Sequence, residues 1–155
     1  MGRIIYRFIF LLWFCFFCTS AFSQSNKIID SLLSVIKTAK EDTGKVSTLN
    51  SLSTRLRAIA KYIDARNFAQ DALTLAEKLN FKKGMGSAYN NIGNTYLNQG
   101  NYTEARENYL AYLKICEETG YKQGIGTAYN NIGVIYKNLG NYGEAMKNYL
   151  ASLKI

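Results

Sequence analysis

The sequence predicts an all-α fold assembled from repeating helical hairpins, and three observations carry that expectation. The chain matches itself at one constant offset, residues 81–115 lying against 121–155. Within each copy, apolar and small positions recur at three- and four-residue steps, which gathers them on one face of a helix. Glycine and asparagine then interrupt the pattern at fixed points, where a helix end needs a residue that tolerates positive φ.

The repeat is the most specific of the three. Residues 81–115 and 121–155 agree at 23 of 35 positions without a gap. A weaker copy lies one period earlier, where Tyr62, Ala65, Ala72 and Leu73 precede Tyr102, Ala105, Tyr112 and Leu113 by the same offset. The units therefore run 46–80, which is divergent, 81–120, and 121–155, which stops inside its second helix and reads as truncated, without the polar capping helix such arrays need. Ahead of them, residues 24–45 hold the amphipathic stretch Ile28 to Lys40, expected as an N-terminal capping helix. Inside a unit, Tyr89, Ile92, Gly93 and Tyr96 share one face, and Gly100 and Asn101 make the turn. The second helix starts at Tyr102 and turns Ala105, Tyr109, Tyr112, Leu113 and Cys116 inward. Gly93 and Ala105 suit a close approach of the paired helices, and Tyr109 fills the space beside it.

Two series, Tyr89-x-x-Ile92-Gly93-x-x-Tyr96 with Ala105 and Tyr109, and Tyr129-x-x-Ile132-Gly133-x-x-Tyr136 with Ala145 and Tyr149, resemble the tetratricopeptide-repeat (TPR) motif. Tyr stands where the motif has Trp, the closing Pro is missing, and the period exceeds the ordinary ~34 residues. In these departures the chain looks like the longer-period bacterial subclass with AYNNIG repeats, often found N-terminal to signalling domains. The resemblance covers about residues 46–155. It implies a right-handed α-α superhelix whose concave wall is lined by the first helix of each unit, and a protein or peptide ligand. It equally admits a second role, as the sensory front of a truncated membrane signalling protein of histidine kinase, cyclase or regulator type. At their motif positions, Tyr89, Tyr96, Tyr129 and Tyr136 are expected in the core rather than in a ligand-stacking box.

The first residues read as an address. Arg3 and Arg7 precede an apolar run from Phe8 to Cys18, and Ala21 and Ser23 are small residues one apart. A helix crossing a bilayer needs about 20 apolar residues, so cleavage after Ser23 and export to the periplasm or exterior is favoured over an uncleaved anchor. Membrane contact is expected only if this segment is retained. Cys15 and Cys18 follow bulky Phe, unlike a lipid-attachment site. Without residues 1–23 the chain keeps 17 cations against 11 anions. These cations read as dispersed on solvated helix faces, and no nucleic-acid partner is expected.

Catalytic constellations are missing from the sequence. With no histidine and Cys116 the only cysteine beyond the leader, triads, thiolate–imidazole pairs and ordinary zinc sites have no residues to build them. No cofactor or metal is expected, and the chain reads as a binding protein rather than an enzyme. Gly84, Gly86, Gly124 and Gly126 are followed by no phosphate-loop Lys-Ser/Thr and read as turn residues. Glu117 and Glu118, about 100° apart around a helix, form a charged end.

What remains is a surface. Asn50, Asn90 and Asn130 recur once per period on the first helices, with Asn91 and Asn131 beside the last two and Asn94 one turn further on. An amide both donates and accepts, so such a ladder suits the backbone of an extended peptide, or else holds neighbouring helices together. Ser87, Thr127 and Val134 are the other inward positions, with Lys137 the one charge, which does not favour a carboxylate clamp. Self-association through an uncapped last unit is a further expectation.

Overall fold

The computed structural model describes residues 27–155, and every regular element among them is a helix. The leader assigned to residues 1–23 lies outside the described residues. Helix α1 covers residues 27–38. It is followed by α2 (Thr43–Ala58), α3 (Tyr62–Lys78), α4 (Lys82–Asn98), α5 (Tyr102–Thr119), α6 (Lys122–Asn138) and α7 (Tyr142–Leu153). The first full hairpin thus starts at Thr43, inside the stretch assigned to the cap. Asp42 starts it earlier than the repeat suggests, because its carboxylate accepts the Lys45 N–H at 2.9 Å and caps the helix. Among the described residues, no helix is long and apolar enough to cross a membrane.

A single turn geometry joins α2 through α7. Left-handed residues occur at Ala60, Asn80, Gly100, Gly120 and Gly140, evenly spaced along the chain, with φ between 51 and 78°. At each of them the following residue donates its N–H to the carbonyl five back, as in Phe81 to Ala76 at 2.8 Å and Tyr121 to Cys116 at 2.9 Å. The left-handed residue itself donates to the carbonyl three back, as in Gly100 to Leu97 at 3.0 Å. This pair of bonds is the Schellman closure, which satisfies carbonyls left open at a helix end. Because the next helix starts two residues later every time, each hairpin repeats the last.

Within a hairpin the helices meet at a glycine. A Cβ on Gly93 would lie 2.8 Å from the Tyr109 ring, and one on Gly133 would lie 2.7 Å from the Tyr149 ring. Ala105 and Ala145, buried at 0% and 3% exposure, complete the contact from the second helix. The buried residues of α5 are Ala105, Tyr109, Tyr112, Leu113 and Cys116, the five that the spacing selects. Ile92 and Ile132 are buried as well, whereas Tyr89, Tyr96, Tyr129 and Tyr136 are half-buried and pack against the core. Arg66 lies 5.2 Å from the centre of the Tyr96 ring, and at the equivalent place one unit later Arg106 donates to the Tyr136 hydroxyl at 3.4 Å. Second helices thereby grip the first helix of the next unit.

The core is a chain of clusters, each spanning neighbouring helices, as expected of a solenoid. One joins Val46, Ala72, Leu73 and Ile92 across α2, α3 and α4, and another joins Tyr109, Ile132 and Ile135 across α5 and α6. At the N-terminal end, Ile29, Leu32, Leu33 and Ile36 of α1 cover Leu52, Leu56 and Ala65. At the other end, Tyr142, Met146 and Leu153 of α7 are exposed.

Gly84, Gly86, Gly124 and Gly126 are not turn residues, contrary to the expectation from sequence. All four lie within α4 or α6. A Cβ on Gly84 would sit 2.4 Å from the Phe81 ring and 2.7 Å from Val46, and one on Gly124 would sit 2.4 Å from Cys116 Sγ and from the Tyr121 ring. The aromatic residue just before each helix folds back over its first turn, and only glycine leaves room for it. Phe81 and Tyr121 thus close the seam between successive units.

Two substitutions test this geometry. Gly133→Leu drives a side chain into the Tyr149 ring and should cost about 1–3 kcal/mol or more. A thermal melt matching the parent chain would contradict the close approach. Ala60→Gly should stabilise instead. A left-handed alanine costs about 1–2 kcal/mol, of which the greater freedom of glycine in the unfolded chain returns about 0.4–1 kcal/mol. The expected net gain, up to about 1 kcal/mol, is readable as a higher midpoint in urea.

Candidate functional site

First helices of successive units touch one another, and their polar side chains decide how. Asn91 Nδ2 of α4 donates to the Asn50 carbonyl at 3.0 Å and to Asn50 Oδ1 at 3.1 Å. Asn50 Nδ2 in turn donates to the Val46 carbonyl at 3.2 Å and across to the Gly84 carbonyl at 3.3 Å. Thr54 gives its hydroxyl hydrogen bond to Asn91 Oδ1 at 3.1 Å. Both asparagines are buried, at 7% and 8% exposure, so these bonds replace the water the amides lost. One unit on, Asn131 Nδ2 donates to Asn90 Oδ1 at 3.2 Å.

The three asparagines that recur once per period are therefore not equivalent. Bonds run from the second asparagine of one unit to the first of the unit before. Asn50 and Asn91 are consumed in holding α2 to α4. Asn90 is half-buried and keeps its Nδ2 hydrogens, and Asn130 is exposed, with no protein partner among the described residues. Asn94 Oδ1 accepts the Tyr109 hydroxyl at 2.9 Å, a bond inside one hairpin. Its counterpart in the last unit is Val134, which has no acceptor to offer Tyr149.

A groove of about 690 Å³ opens where α2, α4 and the end of α5 converge. Ser47, Ser51 and Thr54 line it from α2, and Ser87, Asn90 and Asn91 from α4. Phe81, Tyr112, Ile115 and Tyr121 give it apolar lining, and Gly86 lets Ile115 and Tyr112 approach the α4 backbone. A second groove of about 480 Å³ repeats the arrangement with Thr127, Asn130 and Ser152. Asn94 and Asn131 line neither. Sequence reasoning missed Ser47, Lys83 and Lys122, all of which line the grooves. Position offered a signal, because Ser47, Ser87 and Thr127 recur with the period, each three places before a first asparagine. Each of these hydroxyls bonds the carbonyl one turn back, at 2.8–3.1 Å, which tucks the side chain against its helix and leaves the groove open.

No strong nucleophile lines this wall. Cys116 is 2% exposed, and burial pushes its thiol upward, so it stays protonated at neutral pH. The Tyr109 and Tyr112 phenols are raised by burial too. Glu118 is held below the usual carboxylate range by its bond to Lys82, an exposed pair of little energetic weight. Among the described residues, no group of His, Cys, Asp and Glu could hold a metal ion.

Comparison with known proteins gives one consistent relationship. Family models described as tetratricopeptide repeat match residues 46–80 and 84–155. No curated protein sequence matches the chain. Among solved structures, the TPR domain of FLU from Arabidopsis superposes with a TM-score of 0.67 at 23% identity, covering 72% of this chain and 94% of that one. Aspartyl phosphate phosphatase F from Bacillus subtilis gives 0.77 at 20% identity over 86% of this chain, and a Rap protein complexed with competence and sporulation factor gives 0.73 at 23% over 84%. The chain spans only 36% of the length of each of those last two proteins.

The asparagine pairing predicts a contrast in stability. Asn91→Ala leaves the buried Asn50 Oδ1 without its partner and should cost about 1–3 kcal/mol. Asn130→Ala, at an exposed position, should lie within about 0.5 kcal/mol of the parent. Equal losses in paired urea titrations would contradict the assignment of structural and free amides.

Proposed function

Since the chain belongs to the tetratricopeptide-repeat family, we propose that it is an exported scaffold whose concave wall holds an extended segment of a partner protein. One observation carries this reading. In a groove whose other asparagines are bonded internally, the Asn90 Nδ2 and the whole Asn130 amide are left to face a ligand. Amides on successive first helices suit the alternating donors and acceptors of a peptide backbone. Hydroxyls of Ser47, Ser87 and Thr127 beside them tolerate varied side chains, and Ile115 with Tyr112 offers a seat for an apolar one. A Rap protein of the same fold is complexed with a factor, a precedent for ligand capture by a superhelix of this kind. Export rests on the Arg-flanked apolar run of the leader, and the wall would serve equally as the sensory front of a longer signalling protein.

An array of immobilised extended peptides, probed with the full chain, tests the reading. The double variant Asn90→Ala with Asn130→Ala removes bonds worth about 0.5–1.5 kcal/mol each, so binding to the peptides the parent selects should weaken about tenfold. Its circular-dichroism melt should fall less than that of Asn91→Ala, because only the half-buried Asn131 amide loses a partner. Early melting with undiminished binding would place the amides in the stack and sink the groove assignment.

A further inference from the structure

The cations that look dispersed along the sequence are sorted by helix. The first helices α2, α4 and α6 hold Lys45, Arg55, Arg57, Lys82, Lys83, Lys122 and Lys137, and not one Asp or Glu. The second helices α3, α5 and α7 hold eight acids against five cations. The 3.6-residue period cannot show this, since it orders residues within a helix and the sorting is between helices.

Sorting runs against local helix electrostatics. A helix N-terminus carries partial positive charge and favours an acid in its first turn. The second helices obey, with Asp64, Glu104 and Glu144 there. The first helices carry Lys45, Lys82 with Lys83, and Lys122 in the same place, and no acid. Asp42 caps α2, but α4 and α6 have no acid even at the cap, and a local rule broken in both of these units points to a use elsewhere. Lys82 is paired with Glu118, but Lys83 lines the larger groove and Lys122 the smaller, and no Asp or Glu lines either.

From this complementarity we infer that the segment held in the concave wall is acidic. The inference rests on the groove reading proposed above and adds the chemistry of the partner. Asp or Glu side chains of the ligand meet Lys83 and Lys122 at the mouths of α4 and α6, while its backbone lies along the free Asn90 and Asn130 amides. Two groove cations are too few for a nucleic acid, which is tracked through many phosphate contacts and stacking faces. Attraction of this kind acts on encounter rate and partner choice, and salt weakens it over a screening length of about 10 Å at 0.1 M.

The test uses fluorescent peptides of equal length with amidated C-termini, identical except that several positions are all Glu, all Gln or all Lys, titrated into the full chain. The Glu peptide should bind about tenfold more tightly than the Gln peptide and lose most of that advantage at high salt. Lys83→Glu with Lys122→Glu should abolish the preference, whereas Lys114→Glu, on the outer helix α5, should change it less than about twofold. Equal binding of Glu and Gln peptides, still dependent on Asn90 and Asn130, overturns the acidic preference and leaves the groove reading standing. Binding of none of the three overturns both. An equal effect of Lys114→Glu reduces the preference to net charge and overturns the inference, as does single-stranded DNA displacing the Glu peptide at equal concentration.

Discussion

At Gly93 and Gly133 a helix backbone lies so close to a tyrosine ring that one methyl group would not fit, and the remaining architecture follows from that contact. The ring of Tyr109, wholly buried, sets the separation of α4 and α5, and Tyr149 does the same for α6 and α7. With the helices that near, the connecting turn has to reverse the chain within a few residues. The Schellman closure does so identically at positions 60, 80, 100, 120 and 140. A helix and its turn therefore always consume the same length of chain, and equivalent side chains return to equivalent places. Geometry, more than composition, makes a ladder of amides possible.

The polar wall follows from the same constraint. A first helix touches its own partner, the second helix of the preceding unit and the neighbouring first helices, so little of its circumference remains for water. Amides buried there must bond to protein, because an unsatisfied buried one costs about 1–3 kcal/mol, whereas those at the open edge can bond to water or a ligand. Asn50 and Asn91 take the first solution, Asn91 donating to Asn50 at 3.0–3.1 Å and Asn50 to the Val46 and Gly84 carbonyls. Toward the C-terminal unit, where Asn130 meets no further first helix among the described residues, the same residue type is left open. Identical residues thus are consumed in the stack or left open according to what stands next to them.

Much of this is legible in the sequence. Helical period and repeat length together identify the hairpins, the buried residues of α5 and the close approach of Gly93 and Gly133, because packing of this kind depends on side-chain size at fixed intervals. Pairing between units is not legible. The repeat aligns Asn50 with Asn90, whereas the bonds join Asn50 to Asn91 and Asn90 to Asn131, since stacked helices are offset by a rotation that the alignment does not contain. The glycines before AYNNIG mislead for a related reason. Gly-x-Gly suggests a turn when only backbone freedom is considered, yet Gly84 and Gly124 are needed for the space that Phe81 and Tyr121 occupy.

Those two aromatic residues connect the seam between units to the groove. Each follows a left-handed residue, donates the N–H that closes one helix, and lays its ring over the first turn of the next. The same rings line the larger groove together with Lys83 and Ile115. A ring that shifted to admit a bulky ligand side chain would reopen the seam to Val46 and Cys116, whose burial depends on it. The aromatic lining is for that reason held in place, while Ser47, Ser51 and Ser87 are only small side chains to move. Under the proposed peptide-holding role, adaptation to different ligands therefore falls to the hydroxyl side chains rather than to these rings.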